Sequence, residues 1–425
     1  MDEYDAIVVG GGIAGASAAY ALARRAMSVL VLERTEAHED RVRGEGMSPW
    51  GVTEAQRLGV DAVMLSAGGS FATHVGSYDE TWDAATVDPT DLTLFGVRGF
   101  LDVGHPEACD ALCSAAEGAG AVVARGVDVT AIRPGPRPEV AYTDHNGVER
   151  PASCRLVIGA DGRSSFVRRQ LGLELCESEP LTFGGGMLVT DHRWPENELA
   201  LGTEGNFHYI ITPRPGAVRL YLFSRPEPGR ELFRGGDKSE AFLAAYRLNS
   251  LPDPSGFSDA TPAGPCAGFA MNDSWVDDPT ASGVVLVGDA AGWSNPIIGQ
   301  GLAVAMRDVR HVVDVVTAEP RIGQSDLGGY VSERRERMRR LRATAYVDTC
   351  VLSRFDEIGR ATRLEWRERI ASDGDAAAHV FGKAVGVDDF PASAYDIATV
   401  QRLVGSDHPY HPTLDSHGLA PATSP

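Results

Sequence analysis

Residues 4–15, YDAIVVGGGIAG, constrain the fold of this chain more than any other stretch. The apolar run Tyr4–Val9 reads as a buried strand. Gly10, Gly12 and Gly15 follow in G-x-G-x-x-G spacing, and an alanine-rich helix carries on to about Arg25. A second strand, Val29–Leu32, then ends at the carboxylate of Glu33. In such a βαβ unit the first glycine makes the tight turn and the second lets the backbone approach a pyrophosphate. The third brings helix and strand together, while the helix start (Ile13, Ala14) offers free N–H groups to the anion. Glu33 is placed for the ribose hydroxyls of an adenosine, with Arg34 beside it.

Two later runs have the same grammar. Arg155–Ile158 ends in Gly159-Ala160-Asp161-Gly162, and Gly283–Val287 ends in Gly288-Asp289. Buried strands that each end in glycine and a carboxylate predict one parallel sheet whose carboxyl ends converge on a ligand. Between 175 and 275 the texture changes. Leu181–Asp191, and Phe207–Ser224 around Pro213-Arg214-Pro215-Gly216, read as longer antiparallel strands with a hairpin. After Leu302 the chain reads as helical, and Arg334, Arg335, Arg337, Arg339, Arg340 and Arg342 read as a solvated or interface helix face. Trp293 reads as exposed. The expected organisation is a discontinuous nucleotide-binding domain (1–70, 100–174, 276–330) and a substrate layer (71–99, 175–275). A helical region (331–418) and a disordered tail (419–425) complete it.

Composition narrows the partners. A net charge of −20 argues against nucleic acid and anionic membranes, which need basic patches. Lysine is nearly absent: only Lys238 and Lys383 occur. No run has the roughly 18 apolar residues of a spanning helix, and the acidic N-terminus enters a strand at once, so no signal peptide or integral membrane segment is expected. The six cysteines show no Cys-x-x-Cys pair, which predicts reduced, cytoplasmic thiols, no metal site and no redox disulfide. With no second G-x-G-x-x-G after a strand, one permanently held dinucleotide is implied, and FAD is the better candidate.

At this point the sequence resembles the flavoprotein monooxygenases of the para-hydroxybenzoate hydroxylase type, which have a single dinucleotide-binding domain. Three motifs carry the likeness: Gly10–Gly15 with Glu33; Gly159-Ala160-Asp161-Gly162-Arg163 through Arg168; and Gly288-Asp289 with Pro296 and Gly299-Gln300-Gly301. The resemblance implies an α/β fold, with an FAD-binding Rossmann-like domain on a parallel sheet. It adds an inserted, mainly antiparallel β substrate layer and C-terminal helices. It places Asp161 by the cofactor, Asp289 on an FAD sugar, and Pro296 beside the flavin ring. The helix start Gly299, Gln300, Gly301 and Leu302 then faces the ring's developing negative charge. Arg41 and Arg43 are similar to arginines that meet cofactor phosphates, His105 falls at a helix start near the flavin, and Arg219 resembles a cofactor-contacting arginine. Tyr209, Tyr221, Phe223 and Phe269 are candidate substrate-cavity residues.

The implied reaction is NAD(P)H- and O2-dependent hydroxylation or epoxidation of an electron-rich aromatic or polyketide-like molecule, through a flavin C4a-hydroperoxide, with no protein nucleophile. Glu45-Gly46-Met47-Ser48-Pro49 also resembles flavin halogenases and geranylgeranyl reductases, so a halogenase or double-bond reductase stays open. A homodimer is compatible with this reading, and a separate flavin reductase is the less favoured source of electrons.

Overall fold

The computed structural model describes residues 2–42, 44–318 and 326–405. Arg43 and the 419–425 tail therefore lie outside the described residues. In chain order the principal elements begin with β1 (Asp2–Val9), α1 (Ile13–Ala23), β2 (Val29–Glu33), α2 (Pro49–Leu58), β3 (His74–Asp79), α3 (His105–Gly118), β4 (Val122–Arg125) and β5 (Glu149–Gly159). Next come β6 (Thr182–Thr190), β7 (Glu198–Glu204), β8 (Phe207–Arg214), β9 (Ala217–Ser224), β10 (Ala267–Met271) and β11 (Val284–Leu286). The helices α4 (Gly301–Ala318), α5 (Gly328–Leu352), α6 (Glu357–Ser372) and α7 (Gly374–Val385) follow.

The first sheet has a parallel centre in the order β11-β5-β1-β2-β4, with the short strand Thr280–Ala281 antiparallel on β11 and a ribbon of Asp128–Arg133 and Glu139–Thr143 antiparallel on β5. Its strands are continuous apolar runs because both faces are covered. Ala6, Val8, Val31, Leu156 and Ile158 pack on one side under α1, α3 and α4. Ile7, Val9, Leu30, Leu32 and Val157 pack on the other with Val127, Ile132 and Val140 of a β-ribbon. Each of these buried aliphatic side chains contributes about 1.5–3 kcal/mol relative to exposure. The strands' carboxyl ends open together onto one cleft.

The second sheet has β6, β9, β8, β7 and β3 as consecutive neighbours, with β10 also on β6; it is antiparallel except for the β7–β3 pair. One face covers a core of Met187, Tyr209, Leu220, Leu222, Phe242 and Tyr246. The other face is turned toward the cleft. The C-terminal helices close the far side, with α5 and α7 packing on the 296–298 turn and on Trp50 of α2. Among the described residues no helix is long and apolar enough to cross a membrane.

The arginine run on α5 departs from the sequence expectation. Arg334, Arg337, Arg339 and Arg342 are all buried, not solvated. Arg334 Nε and Arg337 Nη2 donate to the two carboxylate oxygens of the fully buried Asp308 on α4, at 2.9 and 2.7 Å. Arg337 also pairs with Glu333, and Arg339 with Glu336 and Asp396. Charges of this kind are retained inside a protein only when paired and hydrogen-bonded.

Candidate active site

One end of the cleft begins where β1 stops. A Cβ on Gly15 would lie 1.9 Å from the Gly10 carbonyl oxygen, and one on Gly10, at φ +102°, 2.5 Å from the Ala160 oxygen. The fold itself requires these two glycines. Gly12 differs: its φ is −67° and its Cβ would meet no protein atom within 4 Å. Neither backbone strain nor packing explains a glycine there, whereas a ligand pressed against the backbone does. Gly12 caps α1 without a side-chain hydrogen bond, and the first turn carries no acid, so its N–H groups face the cleft.

Glu33 accepts the Gly11 N–H at 2.6 Å on one oxygen, and the N–H and hydroxyl of Thr35, both at 2.7 Å, on the other. Burial pushes its pKa up, but these donors outweigh it and hold the carboxyl below its usual range. It is therefore an anionic acceptor fixed at the end of β2. Arg34, Arg41 and His105 line the same cleft, Arg41 exposed and His105 at the first position of α3. Asp161 lines it too, but its carboxylate is occupied. It accepts from the Ser165 hydroxyl at 2.5 Å and from the N–H groups of Phe166 and Val167 at 2.6 and 3.1 Å. It shares this with Glu33, which also holds three donors, so each carboxylate shapes its loop and keeps one acceptor position.

At the other end, β11 leads into a turn at Gly288, whose φ is +58°. The Gly288 N–H donates to Asp308 at 2.9 Å, and Arg334 Nη2 donates to the Gly292 carbonyl at 2.9 Å. The buried arginine cluster thus clamps the loop that carries Asp289. Asp289 pairs with Arg163 at 3.2 Å, and the Arg163 guanidinium stands 4.9 Å over the ring of Trp293. Trp293 is buried rather than exposed, and its indole N–H has no partner among the described residues while the residue lines the cleft. Asn295 caps the turn Pro296–Ile298 by accepting the Ile297 N–H at 3.1 Å.

Gly299, at φ +62°, and Gly301 would both carry a Cβ into open space, and the first turn of α4 holds no acid. Gln300 lies between them with its side chain turned inward. It accepts from Trp50 Nε1 at 2.7 Å and Ser48 Oγ at 3.1 Å, and donates to the carbonyls of Ile298 and Lys383. Only its backbone faces the cleft mouth, so its part there is to brace the loop. Leu302 lines the cleft one residue on.

Both ends belong to one continuous cavity of about 1000 Å³, which extends over the inner face of the second sheet. Strand register decides which candidates reach it. Phe223 stands opposite His208, and Tyr221 opposite Ile210, so these share a face. Tyr209 stands opposite Leu222 and points the other way, its hydroxyl 2.8 Å from Ser250 Oγ in the opposite core. Tyr209 is thus not a cavity residue, whereas Tyr221, Phe223 and Phe269 line it. Arg219 does not line it either; it is fully buried and bonded to Glu45 and Asp40, which ties the sheet to the 40–45 loop. Sequence reasoning missed Arg163, Trp293, Lys383 and Asp348. Arg163 and Trp293 lay inside motifs, whereas Lys383 and Asp348 carry no local signature.

Comparison with known proteins agrees with this geometry. A family model described as "FAD binding domain" matches residues 3–345. A putative 2-heptyl-3-hydroxy-4(1H)-quinolone synthase of Rhodococcus erythropolis is 30% identical over 319 residues, covering 70% of this chain and 76% of its own. A menaquinone reductase of Mycobacterium tuberculosis is 26% identical over 327 residues, covering 71% of this chain and 73% of its own. Among solved structures, a p-nitrophenol 4-monooxygenase from Pseudomonas putida superposes with a TM-score of 0.76 at 15% identity, covering 91% of this chain and 99% of that one.

Proposed function

The chain belongs to the FAD binding domain family of flavoproteins, and from that premise we propose that it is a monooxygenase that uses NAD(P)H and O2 to hydroxylate or epoxidise an electron-rich small molecule. FAD is its cofactor and FAD-dependent oxidoreduction its class of chemistry. The observation that carries the finer reading is the single cavity that joins the dinucleotide cradle to an aromatic-lined chamber. Such an enclosure brings a substrate to the cofactor and keeps bulk water away.

The residues fit FAD on grounds visible in the fold: a glycine at 12 that no protein contact requires, and two helix starts with no acid in the first turn opening on one cleft. In this reading the α1 start and Arg41 bind the pyrophosphate, and Glu33 accepts from the adenosine sugar. Asp289 accepts from a sugar hydroxyl, and Pro296 borders the ring. The Gly299–Gly301 backbone N–H groups meet negative charge on the reduced ring. Bound FAD supplies hydride acceptance and oxygen activation; the protein supplies orientation, electrostatics and a dry wall. No side chain is assigned as nucleophile.

The test begins with purified protein, which is expected to be yellow and to release FAD. Consumption of NADH or NADPH coupled to O2 uptake and a mono-oxygenated product supports the proposal. A second reading, oxygen-independent double-bond reduction, is favoured by Glu45–Pro49 and by the menaquinone reductase likeness; anaerobic turnover would select it. Halide-dependent product would select halogenation instead. Within the site, Asp289→Ala is expected to weaken FAD retention about tenfold, the worth of one charged hydrogen bond. Unchanged flavin content after gel filtration would remove Asp289 from the cofactor's contacts.

A further inference from the structure

Beyond Tyr221 and Phe223 the cavity runs on toward β3, and its wall there differs in kind. Register places Tyr221 on β9, Ile210 on β8, Leu201 on β7 and Ser77 on β3 in one row across the second sheet. From β9 to β3 is three strand spacings, roughly 14 Å, and along that row the aromatic ring gives way to aliphatic side chains. Val75, Val87, Leu201, Leu352, Ile370 and Val380 line the cavity, and each is only partly buried, so each leaves surface open to an occupant. They come from β3, the segment after it and β7, and from α5, α6 and α7.

At this end α6 packs against the turn that follows β3. Arg360, Arg363 and Arg367 share one face of the helix, at i, i+3 and i+7. Arg360 Nε and Arg363 Nη2 each donate to Glu80 at 2.9 Å, and Arg363 also pairs with Asp79. Arg367 meets an indole instead of an acid: its guanidinium stands 4.4 Å over the ring of Trp82. It is exposed and lines the cavity, and among the described residues it has no hydrogen-bond acceptor or ion-pair partner. A guanidinium stacked by its face is fixed in orientation while the N–H donors at its edge stay free, and that planar fork matches a carboxylate. Of the acids in this part of the wall, Asp79 is bonded to Arg363 and Asp348 holds Lys383, while Asp88 is exposed. A single free cation suits a singly charged carboxylate better than the double charge of a phosphate.

We propose that this end of the cavity is a subsite for an aliphatic chain tipped by a carboxylate: the chain lies between Val75 and Leu201 of the sheet and Ile370 and Val380 of the helices, and its carboxylate accepts the edge N–H groups of Arg367. Arg367 is then a specificity residue for amphiphilic carboxylates, and Trp82 holds it in the accepting orientation. The inference rests on the monooxygenase reading for its chemistry but not for its binding geometry.

Calorimetric titration of the FAD-loaded protein with octanoate, octan-1-ol and acetate separates the two parts of the subsite. The wild type is expected to bind octanoate at least about tenfold more tightly than octan-1-ol, as one charged hydrogen bond allows. Acetate, which lacks the chain, should bind more than about a hundredfold more weakly than octanoate. Arg367→Met should erase the preference for octanoate over octan-1-ol, Arg367→Lys should keep part of it, and Ile370→Ser should weaken both long probes by a common factor. If octan-1-ol matches octanoate in the wild type, or Arg367→Met keeps the preference, the proposal is overturned; the first of these outcomes needs no variant to fold. Selective binding of octanoate by a protein that takes up no O2 with NAD(P)H would sink the monooxygenase reading and leave this subsite standing. Oxygenation by a protein that binds octanoate and octan-1-ol alike would do the reverse.

Discussion

Replacing Asp308 by alanine is expected to destabilise the protein by about 3–5 kcal/mol and to release its flavin. The carboxylate is fully buried and holds three donors: Arg334, Arg337 and the N–H of Gly288. Its removal leaves the buried Arg334 guanidinium without a counter-charge and Arg337 with only Glu333, which costs more than the hydrogen bonds alone. The loss also reaches the site, because the same atoms fix the Gly288–Gly292 turn from which Asp289 projects. Asp314 on the same helix is the control. It is half exposed and pairs only with Arg310 within the described residues, so its replacement should change stability by no more than about 0.5 kcal/mol. Urea titration followed by fluorescence, with flavin absorbance at each stage, separates the two. Equal midpoints for the two variants would show that the arginine cluster does not hold the loop.

The second large effect is a contrast between two glycines of one motif. Gly12→Val is expected to yield soluble, folded, nearly colourless protein, with FAD retention weakened by more than about tenfold. Its new Cβ meets no protein atom within 4 Å, but on the proposed binding mode the side chain fills the space where the pyrophosphate touches backbone N–H groups, each worth about 1.5–3 kcal/mol to a charged ligand. Gly15→Val, by contrast, drives its Cβ into the Gly10 carbonyl and against Val8. It should separate α1 from β1 and give insoluble or unfolded protein. Circular dichroism with the flavin-to-protein absorbance ratio reads both. A yellow Gly12→Val protein with undiminished FAD would mean that the cleft binds its cofactor elsewhere.

Much of the fold was legible because its strongest constraints are local. A strand that ends in Gly10-x-Gly12-x-x-Gly15 and a following strand that ends in Glu33 admit few arrangements, and the later glycine–carboxylate endings repeat that grammar. The arginines of α5 were misread for a physical reason. A row of like charges along one helix says nothing about the acid that answers it, and Asp308 sits on a different helix. The available hint was the place of Asp308 on the apolar face of α4, at helical spacing from Val304, Ala305 and Val312, where a carboxylate needs a buried cation. Tyr209 was recoverable from parity. With Pro215-Gly216 as the hairpin turn, Arg214 pairs with Ala217, so Tyr209 falls opposite Leu222 and off the face of Tyr221 and Phe223. Gln300 looks like a ligand residue in sequence because its neighbours are glycines; only the packing of Trp50 and Ser48 shows which way it turns. The Lys383–Asp348 pair is invisible to spacing altogether, since its members come from two helices that meet only in the folded state.

The order of the strands has a consequence for how the protein is made. In the parallel sheet only β5 separates β1 from a strand that begins at Val284, and the two helix starts proposed to cradle the cofactor, those of α1 and α4, lie on either side of the second sheet's sequence. A chain emerging from the ribosome can form β1, α1 and β2 at once, but the far half of the cradle arrives only after the whole second sheet has been synthesised. Loop closure over such a span is entropically costly and slow. A dinucleotide that touches both halves binds the completed assembly and not its precursors, so its free energy is added only at the last step. FAD supply during expression should therefore govern how much chain matures rather than aggregates, because on the proposed binding mode the cofactor fastens α1 to α4, which the second sheet's sequence separates.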